Sequence, residues 1–184
     1  MTDLIHAILN RSSEPRLDAP APDGEVLDRI FQCAARAPDH ALLRPWRYLV
    51  VEGEGLERLG GLFAQTGESE AERDKLRKMP LRAPMIIVGI TSVKPHPKVP
   101  EIEQSMSTAV GMGYMLLALE SAGFGGMWRT GPMAYHPSVE AGLGLAEHES
   151  IAGFLYVGTV KNPKPDLPRL ETSHFVSAWP PVDC

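Results

Sequence analysis

Seventeen prolines and seventeen glycines punctuate this chain of 184 residues, and that density of turn formers limits its fold more than any other feature. Proline stands at about twice its usual share of roughly 5%. Each proline fixes its own φ and removes a backbone donor, so the elements between them are short. A core assembled from short elements in a chain of this size gains from outside support. The length fits one domain, on a prior of roughly 100–200 residues per domain. No repeat or linker divides residues 1–184, so one α+β domain is expected, with the Pro-rich segment 161–184 wrapping either that domain or a partner. The hydrophobic share of 43% and charged share of 22% exclude disordered and collagen-like chains.

With 18 basic and 23 acidic residues the net charge is −5. No broad positive field is available to hold a phosphodiester backbone or an anionic membrane, so neither nucleic acid nor membrane is expected as a partner. Any anion bound here must meet a local cluster of arginines. Cys33 and Cys184 are too few for a disulfide framework, which fits a reducing cytoplasm. The first six residues lack the basic and apolar regions of a secretory signal. The longest apolar stretch, 109–119, is shorter than the roughly 20 residues needed to cross a bilayer.

Apolar periodicity predicts a short helix over Leu4, Ile5, Ile8 and Leu9 after a Thr2 cap. A second helix starts at about Gly24, carries Val26, Leu27, Ile30, Phe31, Ala34 and Ala35 on one face, and ends before Pro38. Strands are predicted at 48–51, 85–90, from Gly125, and at 151–160. The second of these is a continuous apolar run of the kind buried on both faces. A charged stretch over 56–79 reads as one or two surface helices. The longest periodic segment runs from Pro100 to Gly123, the proline-first, glycine-last signature of a helix. On it Ser105, Ala109 and Gly113 form a smooth strip where another backbone can approach.

A dinucleotide fingerprint fails at Gly53-Glu54-Gly55, because position 58 is Arg and the glutamates would face a pyrophosphate. The expectation there is a turn and a helix cap. The six histidines show no ligand pair at i, i+3 or i, i+4, and no serine sits in a nucleophile elbow. Cys33 reads as a small core residue on a helix face, and His96, between two prolines, as a loop residue.

Three polar clusters remain at element ends. Arg11-Ser12-Ser13 stands beyond the first helix, where it is either a solvated cap or a phosphate site made of one guanidinium and neutral donors. Arg36-Ala37-Pro38-Asp39-His40 is closed by Arg44-Pro45-Trp46-Arg47. Gly123-Phe124-Gly125-Gly126-Met127-Trp128-Arg129-Thr130-Gly131 combines glycines that let backbone approach a ligand with a Trp, an Arg and a Thr. Trp128 is equally readable as a core aromatic.

In this order the three clusters resemble the nitroreductase superfamily of flavin enzymes, and most closely its small YdjA-like branch. Arg11-Ser12-Ser13 followed by Arg16 is similar to an Arg-x-Ser-x-x-Arg opening. Ala37-Pro38-Asp39-His40 with Pro45-Trp46-Arg47 is similar to the second motif, and 123–130 to the late glycine-rich segment. The departures are Arg44, where a neutral group is common, and Ser12 in place of a second Arg. The resemblance implies a mostly antiparallel sheet flanked by helices, and an intertwined homodimer with FMN at the subunit interface. It implies that Arg11, Ser12 and Ser13 meet the phosphate and ribityl end, joined by Arg129, Thr130 and the backbone at Trp128. Arg36 and His40 would reach the same flavin from the partner subunit. The implied activity is ping-pong hydride transfer from NAD(P)H to a nitroaromatic or quinone-like acceptor, with no catalytic side chain because the flavin carries the chemistry. The alternative is a flavin-binding storage or sensing protein without turnover.

Overall fold

The computed structural model describes residues 4–162, 164, 165 and 167–179. The predicted Thr2 cap and Cys184 lie outside the described residues. Helices α1 (Leu4–Asn10) and α2 (Gly24–Ala34) precede strand β1 (Trp46–Glu52). Helices α3 (Glu54–Ala64) and α4 (Glu70–Arg77) lead to β2 (Met85–Ser92), and α5 (Glu101–Ser121) to β3 (Gly125–Arg129). Helix α6 (Pro137–Gly142) leads to β4 (Glu149–Gly158). Among the described residues no helix is long and apolar enough to cross a membrane.

The strands form one antiparallel sheet in the order β1-β2-β4-β3. The α5 crossover therefore carries the chain from β2 over β4 to β3, and α5 lies across the sheet. Alternation along β2 divides the core. Ile86, Val88 and Ile90 face one side with Phe154 and Tyr156, covered by Leu56, Leu59 and Phe63 of α3. Met85 and Ile87 face the other side with Leu155 and Val157, covered by Ile30 and Ala34 of α2 and Met112, Met115 and Leu119 of α5. This burial on both faces is what the continuous apolar run predicts. The 56–79 stretch becomes two helices, and α3 is more than a surface helix because its apolar stripe supplies core. Gly53 (φ 53°) begins α3 as a turn, with Glu54 and Glu57 in the first helical turn.

Helix α5 comes close to α2 at Gly111. A Cβ there would lie 2.8 Å from the Tyr48 hydroxyl and 3.2 Å from the Ala34 carbonyl oxygen, so only glycine permits this approach. Pro100 precedes the first turn and Gly123 (φ 85°) follows the last, as the periodic pattern predicts. The outward face of α5 remains apolar, with Ile102, Met106, Val110 and Tyr114 exposed in one stripe. Cys33, expected in the core, is exposed, because the buried stripe of α2 passes through Ile30 and Ala34 and leaves position 33 outside it.

Candidate functional site

The end of α1, the end of α5 and the start of β3 converge on a cavity of about 410 Å³. That volume is within the range of small-molecule sites. Segment 11–14 forms one wall. The Glu14 amide donates to the Gly126 carbonyl at 3.2 Å, which pins the segment beside β3. Arg11, Ser12 and Glu14 line the cavity with His6, Glu120, residues 123–126 and Lys164. Ser13 is exposed just outside the lining, and its hydroxyl accepts from the Arg11 guanidinium at 3.5 Å.

The charges within this cavity are mixed. Glu14 is buried, and its carboxylate accepts from the Ser12 hydroxyl. The Lys164 ammonium lies 3.5 Å from the same carboxylate and donates to the Ser13 carbonyl. Burial raises the Glu120 carboxyl above its ordinary range, a shift that Glu14 reinforces and that Arg11 and His6 oppose. The glycines here answer to their own chain rather than to a ligand. A side chain at Gly125 would strike Val160 and Leu17, and one at Gly126 would lie 2.7 Å from Leu116.

Trp128 and Arg129 lie further along β3, Thr130 follows its end, and none of the three lines this cavity. Trp128 packs over Gly153 against the α2 and α5 side of the core, and its indole donates to the Ala152 carbonyl at 3.3 Å. Of the two readings open for it, the side chain takes the packing one. Arg129 points to the opposite face, its guanidinium 5.4 Å from the centre of the Tyr156 ring. Its Nε is buried with no hydrogen-bond partner among the described residues. Burial raises the Tyr156 phenol, and the charges of Arg129 and Arg82 oppose that shift, so a second guanidinium stands near the same ring. Thr130 is exposed, ahead of the positive-φ turn at Gly131.

The second motif sits at the other end of α5. His40 Nδ1 lies 2.9 Å from Glu103 in the first turn of that helix, and Arg36 is exposed beyond the end of α2. Between them and β1 the backbone is strained. Ala41, Leu42 and Arg44 have φ of 58°, 53° and 49°, a region that costs a non-glycine residue of order 1 kcal/mol or more. Two contacts hold this loop: the Arg44 amide donates to the Asp39 carboxylate at 2.6 Å, and Lys94 Nζ donates to the Leu43 carbonyl at 2.6 Å. Arg47 is structural. It forms a two-pronged pair with Glu149, Nε to Oε1 at 2.7 Å and an outer nitrogen to Oε2 at 2.6 Å. The hydrogen bond from Arg47, helped by the Ala146 amide, holds the Glu149 carboxyl down to about 2.

One chain therefore brings Arg11 and Ser12 together with 123–126 and leaves His40 at the opposite end of α5, with Arg36 exposed beyond the end of α2. From Glu103 to Glu120 the helix rises about 25 Å. The FMN implied by the sequence resemblance suits the residues present. Arg11 and Ser12 are the donors a phosphate takes, and the cavity they line has room for a small molecule. Residues that the motif reading missed are Glu14, Glu120, Lys164 and Arg82. Only Glu14 carried a signal, an acidic residue inside an otherwise basic string.

Comparison with known proteins bears on the family and the fold. The Nitroreductase family model matches residues 8–159. The chain is 40% identical to the Escherichia coli K12 protein named "Putative NAD(P)H nitroreductase YdjA", over 98% of this chain and 96% of that protein. It is 32% identical to a Haemophilus influenzae protein of the same description, over 95% and 98%. Among solved structures, a nitroreductase-like family protein from Bacillus cereus superposes with a TM-score of 0.86 at 25% identity, covering 98% of this chain and 97% of that one. The FMN and NADPH-dependent nitroreductase NfnB from Sphigopyxis sp. strain HMH shares the fold, with a TM-score of 0.76 at 18% identity over 96% and 98%.

Proposed function

The chain belongs to the nitroreductase family, and from that premise we propose that it is an FMN-dependent oxidoreductase using NAD(P)H to reduce nitroaromatic or quinone-like acceptors. The working unit is a homodimer with a flavin at each end of the subunit interface. This reading takes residues 1–184 as one cytoplasmic domain whose C-terminal segment wraps the assembly. Its described part is tied down by Lys161 on Asp18, and by Arg169 on the Leu9 carbonyl and Asn10.

The observation that carries the proposal is the division of the motif residues between the two ends of α5. Arg11 and Ser12 lie beside its last turns, and His40 is bonded to Glu103 in its first. No ligand of FMN's size meets both sets within one chain across about 25 Å. A two-fold axis near the middle of α5 runs two copies antiparallel along their exposed stripes. Each copy's His40 end then lies beside the other's Arg11 end. The NADPH and FMN dependence stated for NfnB supports the same pairing of cofactor and reductant.

A bound flavin would supply the two-electron hydride chemistry that links NAD(P)H to the acceptor. The chain's residues bind and orient. Arg11 with Ser12 and Ser13 offers charge-assisted and neutral hydrogen bonds to phosphate oxygens and the ribityl end. Arg129, with Thr130 and the backbone at Trp128, adds donors from β3. Arg36 and His40, brought by the partner copy, place positive charge and a hydrogen-bond donor where the reduced ring accumulates negative charge. Asp39 keeps the loop behind His40 in its strained form.

The test is direct. The purified protein is expected to be yellow, to run as a dimer by light scattering, and to lose its flavin colour when NAD(P)H is added without oxygen. A colourless monomer that takes up no FMN overturns the proposal. A yellow dimer that NAD(P)H does not bleach returns the protein to flavin storage or sensing.

A further inference from the structure

The basic opening string of this chain contains its own anion. Glu14 follows Ser13 directly, is 8% exposed, and directs its carboxylate into the same cavity as Arg11 and Ser12. The Ser12 hydroxyl, a donor assigned above to the flavin phosphate, is already donating to Glu14 Oε1. The Lys164 ammonium is shared between the Glu14 carboxylate, at 3.5 Å, and the Ser13 carbonyl. Among the described residues, the side chains that meet this carboxylate, Ser12 and Lys164, are ones that a bound phosphate would also seek. Beside Gly125 the Glu14 Cγ shares its surroundings with the aliphatic side chains of Leu17 and Val160.

We infer that Glu14 is an affinity-setting residue of the cofactor site: an internal carboxylate that competes with the FMN phosphate for Ser12 and is held neutralised by Lys164 of the C-terminal segment. This rests on the flavin reading of the cavity and adds to it. A dianionic phosphate entering beside Glu14 meets like charge, which costs binding, and it must take the Ser12 proton donor from the carboxylate. Lys164 offsets the repulsion. The chain therefore holds FMN less tightly than the same site without the acid, and the hold depends on a residue that lies 150 positions further along the sequence, beyond the last strand.

The phosphate makes the effect separable. Apo protein is titrated with FMN and, separately, with riboflavin, which lacks the phosphate, and binding is read by quenching of flavin fluorescence. Glu14→Gln keeps the shape and is expected to tighten FMN about tenfold while leaving riboflavin unchanged. Lys164→Ala is expected to weaken FMN several-fold in the native background and by clearly less when combined with Glu14→Gln. Circular dichroism monitors folding, and Glu14→Ala serves if the glutamine variant misfolds. FMN affinity that is unchanged or weaker in both Glu14 variants, or a gain shared equally by riboflavin, overturns the inference while the flavin reading stands. A native chain that binds neither flavin overturns both.

Discussion

Arg129 shows how much a single residue can reveal. A buried guanidinium nitrogen without an acceptor among the described residues is a cost, and in the proposed flavin reading the cofactor is what uses the donor. Among the described residues the guanidinium stacks over the face of Tyr156, a contact of order 0.5–1 kcal/mol. Arg129→Ala is therefore expected to strip FMN from the purified protein and to change unfolding free energy by about 1 kcal/mol or less. Flavin-to-protein absorbance ratios and urea denaturation measure the two effects, and an unchanged ratio removes Arg129 from the site. This residue was legible in the sequence because it closes a glycine-rich string, as Arg11 and Ser12 were because they follow a helix end. Glu120 and Lys164 were not. They enter the same cavity from about 110 and 150 residues away, and no spacing rule connects them to Arg11. Cys33 failed for a different reason. It stands one residue from the buried Ala34, and a rotation of about 100° per residue separates the core from solvent at that distance.

Between elements, polar contacts fix what apolar patterning leaves free. The two-pronged pair between Arg47 and Glu149 joins the second residue of β1 to the first of β4, strands that are not neighbours in the sheet and meet across the end of β2. The Glu149 carboxyl is held at about 2 against an ordinary 4.5. A folded value below the unfolded one gives stability that is whole above about pH 4.5, declines as pH falls further, and is gone below about pH 2. Arg47→Ala is expected to cost about 2–3 kcal/mol at pH 7 and much less at pH 3. Urea midpoints at the two pH values decide it, and an equal loss at both contradicts the pairing. Tyr48 makes the opposite case. Its hydroxyl is wedged between α2 and α5 without a partner among the described residues, and burial pushes its phenol up to about 12. Tyr48→Phe is expected to be neutral or stabilising by up to about 1 kcal/mol, whereas a loss of that size would show that the hydroxyl is in use. Strand and helix positions were legible to within a few residues because apolar period and Gly or Pro boundaries coincide. The strand order was not, since β4 inserts between β2 and β3 and no local signal encodes that.

At the scale of the whole molecule, large apolar side chains stay exposed on several elements. Ile102 and Met106 are 60% and 58% exposed on α5, Leu4 and Ile5 are comparably open on α1, and Phe175 and Trp179 follow in the C-terminal segment. Apolar surface left open in this way is what the proposed homodimer would cover. Its α5 stripe runs at intervals of four residues through Val110, beside the Ser105, Ala109 and Gly113 strip that lets two backbones approach. A charge placed at the middle of that stripe would be buried twice in a two-fold dimer, once from each copy, and would lack a partner in both. Val110 is more than a third exposed in the single chain, so Val110→Glu leaves the monomer's own core intact. The variant is expected to elute as a monomer with native circular dichroism and with little retained flavin, because Arg36 and His40 of the second copy are no longer delivered to the Arg11 end. Light scattering and flavin content, read on the same sample, link the two losses. A monomer that keeps its flavin would mean that one chain completes the site, and the division of motif residues along α5 would then lose its functional meaning.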